Sequence, residues 1–176
     1  MPGNKPAVKP VKLICGVLYQ RGVDTESLEI RLCRLWGVID LRSPVFDFIF
    51  TDYYTSEMGG DLKKRFYSFE NLIAPESLAD VKHAAAALEA ELADKAGRAV
   101  NIDPGYLEES KLILASTKNF SHRIYLRNGI WAEVTMRFVR GKFVTHDWTY
   151  PDYSQELAIE FLMRTREVYR AQLAGA

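Results

Sequence analysis

Two glycine-bearing turn signals, Arg127-Asn128-Gly129 and Arg140-Gly141, cut the segment from His122 to Trp148 into three pieces of strand length. Strands joined by such short links pair with their neighbours in antiparallel order, so this segment reads as a meander. Its register follows from face separation, because a slip of one residue moves every side chain to the opposite surface. A two-residue turn at Asn128-Gly129 sets Ile124 opposite Glu133 and Arg123 opposite Val134, which mixes charged and apolar groups on both faces. A three-residue loop from Arg127 to Gly129, with Gly129 left-handed, pairs Leu126 with Ile130 and Arg123 with Glu133. The second register separates the faces. It predicts one surface of Ile124, Leu126, Ile130, Ala132, Val134 and Met136, and another of Arg123, Tyr125, Trp131, Glu133, Thr135 and Arg137. At the next turn, a two-residue link sets Phe138 against Phe143 and Trp148 against Glu133, and adds His146 to the charged face opposite Thr135. A three-residue link there opposes Glu133 to Asp147, a like-charge pair, and is disfavoured.

The rest of the chain supplies helices and further strands. Val11 to Tyr19 is a nearly continuous apolar run, the pattern of a central strand covered on both faces. Asp24 or Thr25 caps a helix to Trp36, carrying Leu28, Leu32, Leu35 and Trp36 on one side and stopping at Gly37. Val45 to Thr51 alternates as a strand with an aromatic face, and Lys63 to Phe69 is a weaker strand. Pro75 opens a helix to about Lys95, striped by Leu78, Val81, Ala85, Leu88 and Leu92 and ended by Gly97. Ala99 to Ile102 starts a strand, Pro104-Gly105 predicts a turn after Asp103, and Leu112 to Ala115 is another inner strand. Asp152 and Gln155 have capping-box spacing ahead of a last helix with Leu157, Phe161, Leu162, Thr165 and Val168 inward.

This mixture indicates an α+β fold: a single mixed or largely antiparallel sheet with helices mainly on one face, the nearest common plan being ferredoxin-like. Residues 1–10, with three prolines and two lysines, read as a flexible arm, and 11–176 as a single domain. The arm lacks the apolar run of a signal peptide and no later stretch is long enough to span a bilayer, which predicts a cytoplasmic protein without membrane contact. Lys plus Arg and Asp plus Glu balance at 23 each, so no global positive field draws nucleic acid. Cys15 and Cys33 lie in apolar surroundings without metal or redox spacing and read as buried thiols.

The polar surface of the meander is the candidate site. Arg123 can hold an anion, Glu133 and a histidine, His122 or His146, can move a proton, and Tyr125 and Trp131 can cover a planar ligand. Lys111 and Lys118 can extend a phosphate or carboxylate subsite, and Asp103 can orient a histidine. The plain alternative is a solvated sheet face whose Arg123–Glu133 pair is worth under about 1 kcal/mol, with the lysines merely solvated and Asp152 a helix cap. No His-Glu-x-x-His, paired-cysteine, Gly-x-Ser-x-Gly or phosphate-loop motif appears, so the residues name no metal and no cofactor. Thr117-Lys118-Asn119-Phe120 differs from the guanine-reading Thr-Lys-x-Asp tetrapeptide at its decisive aspartate.

Several blocks together resemble a bacterial domain-of-unknown-function family, number 4416. They are Phe50-Thr51-Asp52-Tyr53-Tyr54 with Glu57-Met58-Gly59, Arg65 to Glu70, Asn101 to Leu107, Ser110-Lys111-Leu112, Thr117-Lys118, His122 to Leu126, Ala132 to Thr135, and Trp148 to Tyr153. The resemblance spans most of the chain. It implies that Asp52, Asn101, Asp103, Lys111, Lys118, His122, Arg123, Glu133 and Asp152 belong to one signature, and it implies no activity. Trp131 departs from the tyrosine expected there, and the GTP-binding label carried by some members implies motifs absent here. The leading expectation is a cytosolic protein binding a small anion, a nucleotide or phosphorylated metabolite, with acid–base chemistry. The alternatives are an RNA-binding module, against which zero net charge argues, and a homodimeric interaction module anchored by Tyr53, Tyr54, Trp148, Tyr150 and Tyr153.

Overall fold

The structure, a computed structural model, describes residues 8–93 and 97–175. The apolar run at the N-terminus forms β1 (Val11–Gln20), buried along its length up to Tyr19. It is central: the sheet order is β2-β4-β1-β5-β6-β8-β7, with β3 beside β2 on the edge of β4 and β9 beside β7 on the edge of β8. The strands are β2 (Ile39–Arg42), β3 (Phe46–Asp47), β4 (Leu62–Ile73), β5 (Val100–Leu107), β6 (Lys111–Ser116), β7 (Ile124–Arg127), β8 (Ile130–Val139) and β9 (Lys142–Thr145). Every pairing is antiparallel. With α1 (Thr25–Trp36) joining β1 to β2 and α3 (Leu78–Glu91) joining β4 to β5, the order β2-β4-β1-β5 contains two split β-α-β units. This half is ferredoxin-like, and the meander extends it.

Alternation along β1 sorts the two faces. Leu13, Cys15, Val17 and Tyr19 meet α1 and α3 through Leu28, Leu32, Trp36, Val81, Ala85 and Leu88. Ile14 faces the other way, toward α4 (Glu156–Ala174), where Phe66, Leu112, Leu114 and Met136 receive Phe161 and Leu162. Asp24 caps α1 by accepting from the Glu26 and Ser27 amides, and Gly37, at φ 91°, stops it as expected. α3 ends at Glu91, and the part of the predicted helix at residues 94–96 lies outside the described residues. So do residues 1–7 of the predicted arm; of its remainder, Lys9 pairs with Glu109 at 3.2 Å.

Three local expectations are corrected. Pro104-Gly105 makes no turn: both lie inside β5, where a Cβ on Gly105 would meet the Ile113 carbonyl oxygen at 2.1 Å. Only glycine permits that approach. The β5–β6 ladder runs from Gly105 to Leu107 and stops at Pro104, which brings no N–H, so the strands part beyond it. In the Val45–Thr51 segment only Phe46–Asp47 is strand; the chain then climbs over the sheet, and Phe48, Tyr54 and Met58 pack on Leu18 and Leu62. Asp152 caps no helix: it sits in a 3-10 turn (Pro151–Ser154), and Gln155, ahead of α4, donates its side chain to the Pro151 carbonyl at 3.2 Å and does not cap the helix.

The meander adopts a solution between the two registers weighed. Asn128 and Gly129 form a tight turn with φ 51° and 76°, pairing Arg127 with Ile130. A bulge at Leu126 then restores Tyr125 opposite Trp131 and Ile124 opposite Ala132, the predicted register. A second bulge at Thr135, where Ile113 pairs Val134 and Leu112 pairs Met136, turns Met136 toward α4 and leaves Arg137 exposed. The Arg140-Gly141 link sets Phe138 against Phe143 as expected, but the ladder ends at Thr145. His146 and Trp148 therefore lie in a turn, not in the strand.

Candidate functional site

Helix α4 covers only part of its face of the sheet. Beyond it, β1 presents Gly16 and Leu18, β4 presents Lys64, β5 presents Asn101 and Asp103, and β8 presents Glu133, by the alternation and register of the strands. Two segments roof this area: residues 48–58, containing the single-turn helix α2 (Thr55–Met58), and residues 150–154. Between sheet and roof lie two joined compartments, of about 500 Å³ and 380 Å³. Tyr53, Tyr54, Asp103, Lys118 and Tyr150 line both.

The larger compartment enters the opening between β5 and β6 and is lined by eight charged groups: Glu57, Lys82, Glu89, Arg98, Asp103, Lys118, Arg123 and Glu133. Most are matched. Lys82, buried on α3, donates to the Ile102 carbonyl at 2.7 Å and lies 3.5 Å from Asp103. Arg98 bonds Asn101 at 3.0 Å and Glu57 at 2.5 Å and lies 3.5 Å from Glu89, and Asn101 donates to Asp103 at 2.8 Å. Glu133 Oε2 accepts from Arg123 Nε at 2.8 Å and contacts His122 Nε2 at 3.0 Å, while its Oε1 accepts from Thr135 at 3.3 Å. Arg123 also donates to the Lys118 carbonyl at 2.9 Å and to the Tyr150 hydroxyl at 2.8 Å. Lys118 differs: its ammonium meets the Tyr53 hydroxyl and lies 4.2 Å from that ring's centre, with no carboxylate partner among the described residues.

Titration follows burial. Burial, with the negative Glu133 nearby, pushes the Tyr150 phenol up to about 12, so it stays protonated; because its oxygen accepts from Arg123, its own proton is available to a ligand. Burial likewise raises Tyr54, with Asp103 adding to it. Burial raises the Glu89 carboxyl, against the pull of Lys82, the Ile102 amide and Arg98.

The structure brings Asn101, Asp103, Lys118, Arg123 and Glu133 together at the cleft, with His122 behind Glu133. Other candidates fall elsewhere. Lys111 sits at the opposite end of β6 from Lys118 and pairs with Glu108 at 2.9 Å. Tyr125 and Trp131 pack edge to face at 5.0 Å near the hairpin tip, outside the cleft lining, and exposed Asp52 also lies outside it. His146 stacks on Trp148 at 4.6 Å, and Trp148 stacks on His122 at 4.9 Å, so the indole separates the two imidazoles. Sequence reasoning missed Lys82, Glu89, Arg98, Glu57 and Lys64. Lys82 and Glu89 lie seven apart beside the apolar stripe of α3, and buried charges at such spacing were the available signal.

Residues 9–169 match the family model described as "Domain of unknown function (DUF4416)". The chain belongs to this family. No curated protein and no solved structure matches it. Every residue lining the cleft lies within the span matched to DUF4416. No helix among the described residues is long and apolar enough to cross a membrane.

Proposed function

We propose that this DUF4416 member is a cytoplasmic protein whose cleft binds a small anionic ligand, a nucleotide or phosphorylated metabolite. The observation that carries the reading is Lys118: it stands at the junction of both compartments and is the lining cation without a carboxylate partner among the described residues. The Tyr150 hydroxyl offers a second donor at the same junction. A ligand anion there gains a charge-assisted bond at little desolvation cost to Lys118, which is exposed. Arg123 serves as the positioning group, since it holds Tyr150, Glu133 and the Lys118 backbone. Acid–base chemistry, where the ligand undergoes any, falls to the cleft carboxyls Glu89, which accepts from the Ile102 amide at 2.6 Å, and Glu133, which Arg123 and His122 contact.

Calorimetric titration with pyrophosphate tests this. Binding by the wild type and loss of at least about tenfold in affinity in Lys118→Ala, at unchanged melting temperature, are expected, because one charge-assisted hydrogen bond is worth about 1.5–3 kcal/mol. Equal affinity in the variant removes the reading.

A further inference from the structure

The smaller compartment has a floor that the anion reading does not use. Lys64 and Asp152 form an ion pair at 2.6 Å, each side chain about 4% exposed. The ammonium lies 5.1 to 5.6 Å from the ring centres of Phe48, Phe66 and Tyr153. The contact with Asp152 is its one polar contact among the described residues, which leaves N–H donors unmatched, and Asp152 Oδ2 has no hydrogen-bond partner either. The buried Tyr153 hydroxyl also has no partner among the described residues, and burial, reinforced by Asp103 and Asp152, keeps that phenol protonated. Gly16 makes room for both, since a Cβ there would meet the Tyr153 hydroxyl at 2.8 Å and the Lys64 Cε at 3.0 Å.

Buried ion pairs are costly to desolvate, and buried donors are normally satisfied, so this arrangement asks for an occupant. Its chemistry can be narrowed. Asp152 already cancels the Lys64 charge, so a neutral acceptor suits the floor better than a second anion. The walls above it are Phe48, Phe50, Tyr53, Tyr54 and Tyr150, surfaces on which a flat ring packs. Lys118 and Tyr150 stand where this compartment opens into the charged one.

We infer that the aromatic compartment takes a planar ring bearing a carbonyl oxygen, which accepts from the Lys64 ammonium at the floor while the ligand's anionic group lies at Lys118. The inference rests on the anion reading for the ligand's orientation and adds the identity of its other end. An oxo-heterocycle joined to a phosphate fits both ends. An amino group directed at the Lys64 ammonium presents donors to donors and is disfavoured there, and the carboxylate of Asp152, which could accept from it, is already held against that ammonium.

Matched nucleotides that differ only in that group test it on the unmodified protein: uridine against cytidine monophosphate, and inosine against adenosine monophosphate, by calorimetry, with pyrophosphate titrated alongside. The oxo member of at least one pair is expected to bind at least about tenfold more tightly than its amino counterpart. The preference should vanish in the double variant Lys64→Met with Asp152→Ala, which removes the ammonium without stranding a buried charge and introduces no new donor, while pyrophosphate binding survives. Equal affinity within both pairs overturns the inference and leaves the anion reading intact. Pyrophosphate binding without binding of any nucleotide does the same. Failure of pyrophosphate and nucleotides alike removes both.

Discussion

Arg123 and Lys118 are five residues apart, both cationic, and opposite in what they contribute. Arg123 has one-tenth of its side chain exposed and is the partner of a Glu133 side chain that is 1% exposed. Removing it strands a buried carboxylate, so Arg123→Ala is expected to lower unfolding free energy by about 3 kcal/mol in urea titrations, with Arg123→Lys recovering part of the loss. Lys118→Ala should leave stability unchanged and weaken binding at least about tenfold. The sequence placed Arg123 beside Glu133 because only that register separates the faces. It could not show that the pair would be buried and spent on structure, since burial depends on the roof that closes over it. Glu89 supplies a pH signature. Its carboxyl is raised in the folded state, so the folded chain holds that proton more tightly than the unfolded chain does. Its contribution is fully present below the ordinary carboxyl range and is lost as pH rises through the raised value. The melting temperature of Glu89→Gln relative to wild type is therefore expected to be more favourable at pH 7 than at pH 4; a difference independent of pH refutes this.

Strand β5 shows how one element makes the cleft. Its Pro104 ends the ladder to β6, and Gly105 beside it admits the Ile113 carbonyl, so closure below and opening above are set by consecutive residues. Gly105→Ala forces a methyl group into backbone, and a loss of about 2–4 kcal/mol in chemical denaturation is expected, whereas Gly129→Ala at an open turn should cost only about 1 kcal/mol. Proline followed by glycine reads locally as a turn. Strand neighbours on both sides overrode that preference, and such non-local pairing leaves no trace in a short window. The β7–β8 hairpin carries a related lesson. A regular ladder cannot combine the tight Asn128-Gly129 turn with the preferred face separation, and a one-residue bulge at Leu126 reconciles them.

Across the whole molecule, the sheet and its last helix are tied by a second buried network. Lys12, fully buried on β1, pairs with Asp40 and donates to Gln172 of α4 at 2.9 Å, and Ser68 donates to Asp40 at 2.5 Å. Lys12→Met alone should cost about 3–5 kcal/mol, and Lys12→Met with Asp40→Asn should restore most of it; additive losses in this double-mutant cycle would mean that the pair is uncoupled. This tether anchors α4 over the lower half of its face and leaves the upper half for the cleft. Periodicity in the sequence determined the α+β class, the central β1, the helices α1 and α4, the antiparallel meander and the pairing of Arg123 with Glu133, because alternation and helical spacing are local properties of a chain that must hide apolar groups. Only the tertiary structure decided which charged groups meet. Lys64 faces Asp152, Lys82 reaches Asp103 and Arg98 bridges Glu57 and Glu89 across separations that no local pattern encodes. A buried charge is stable only beside a partner, and that partner is found by folding, not by spacing.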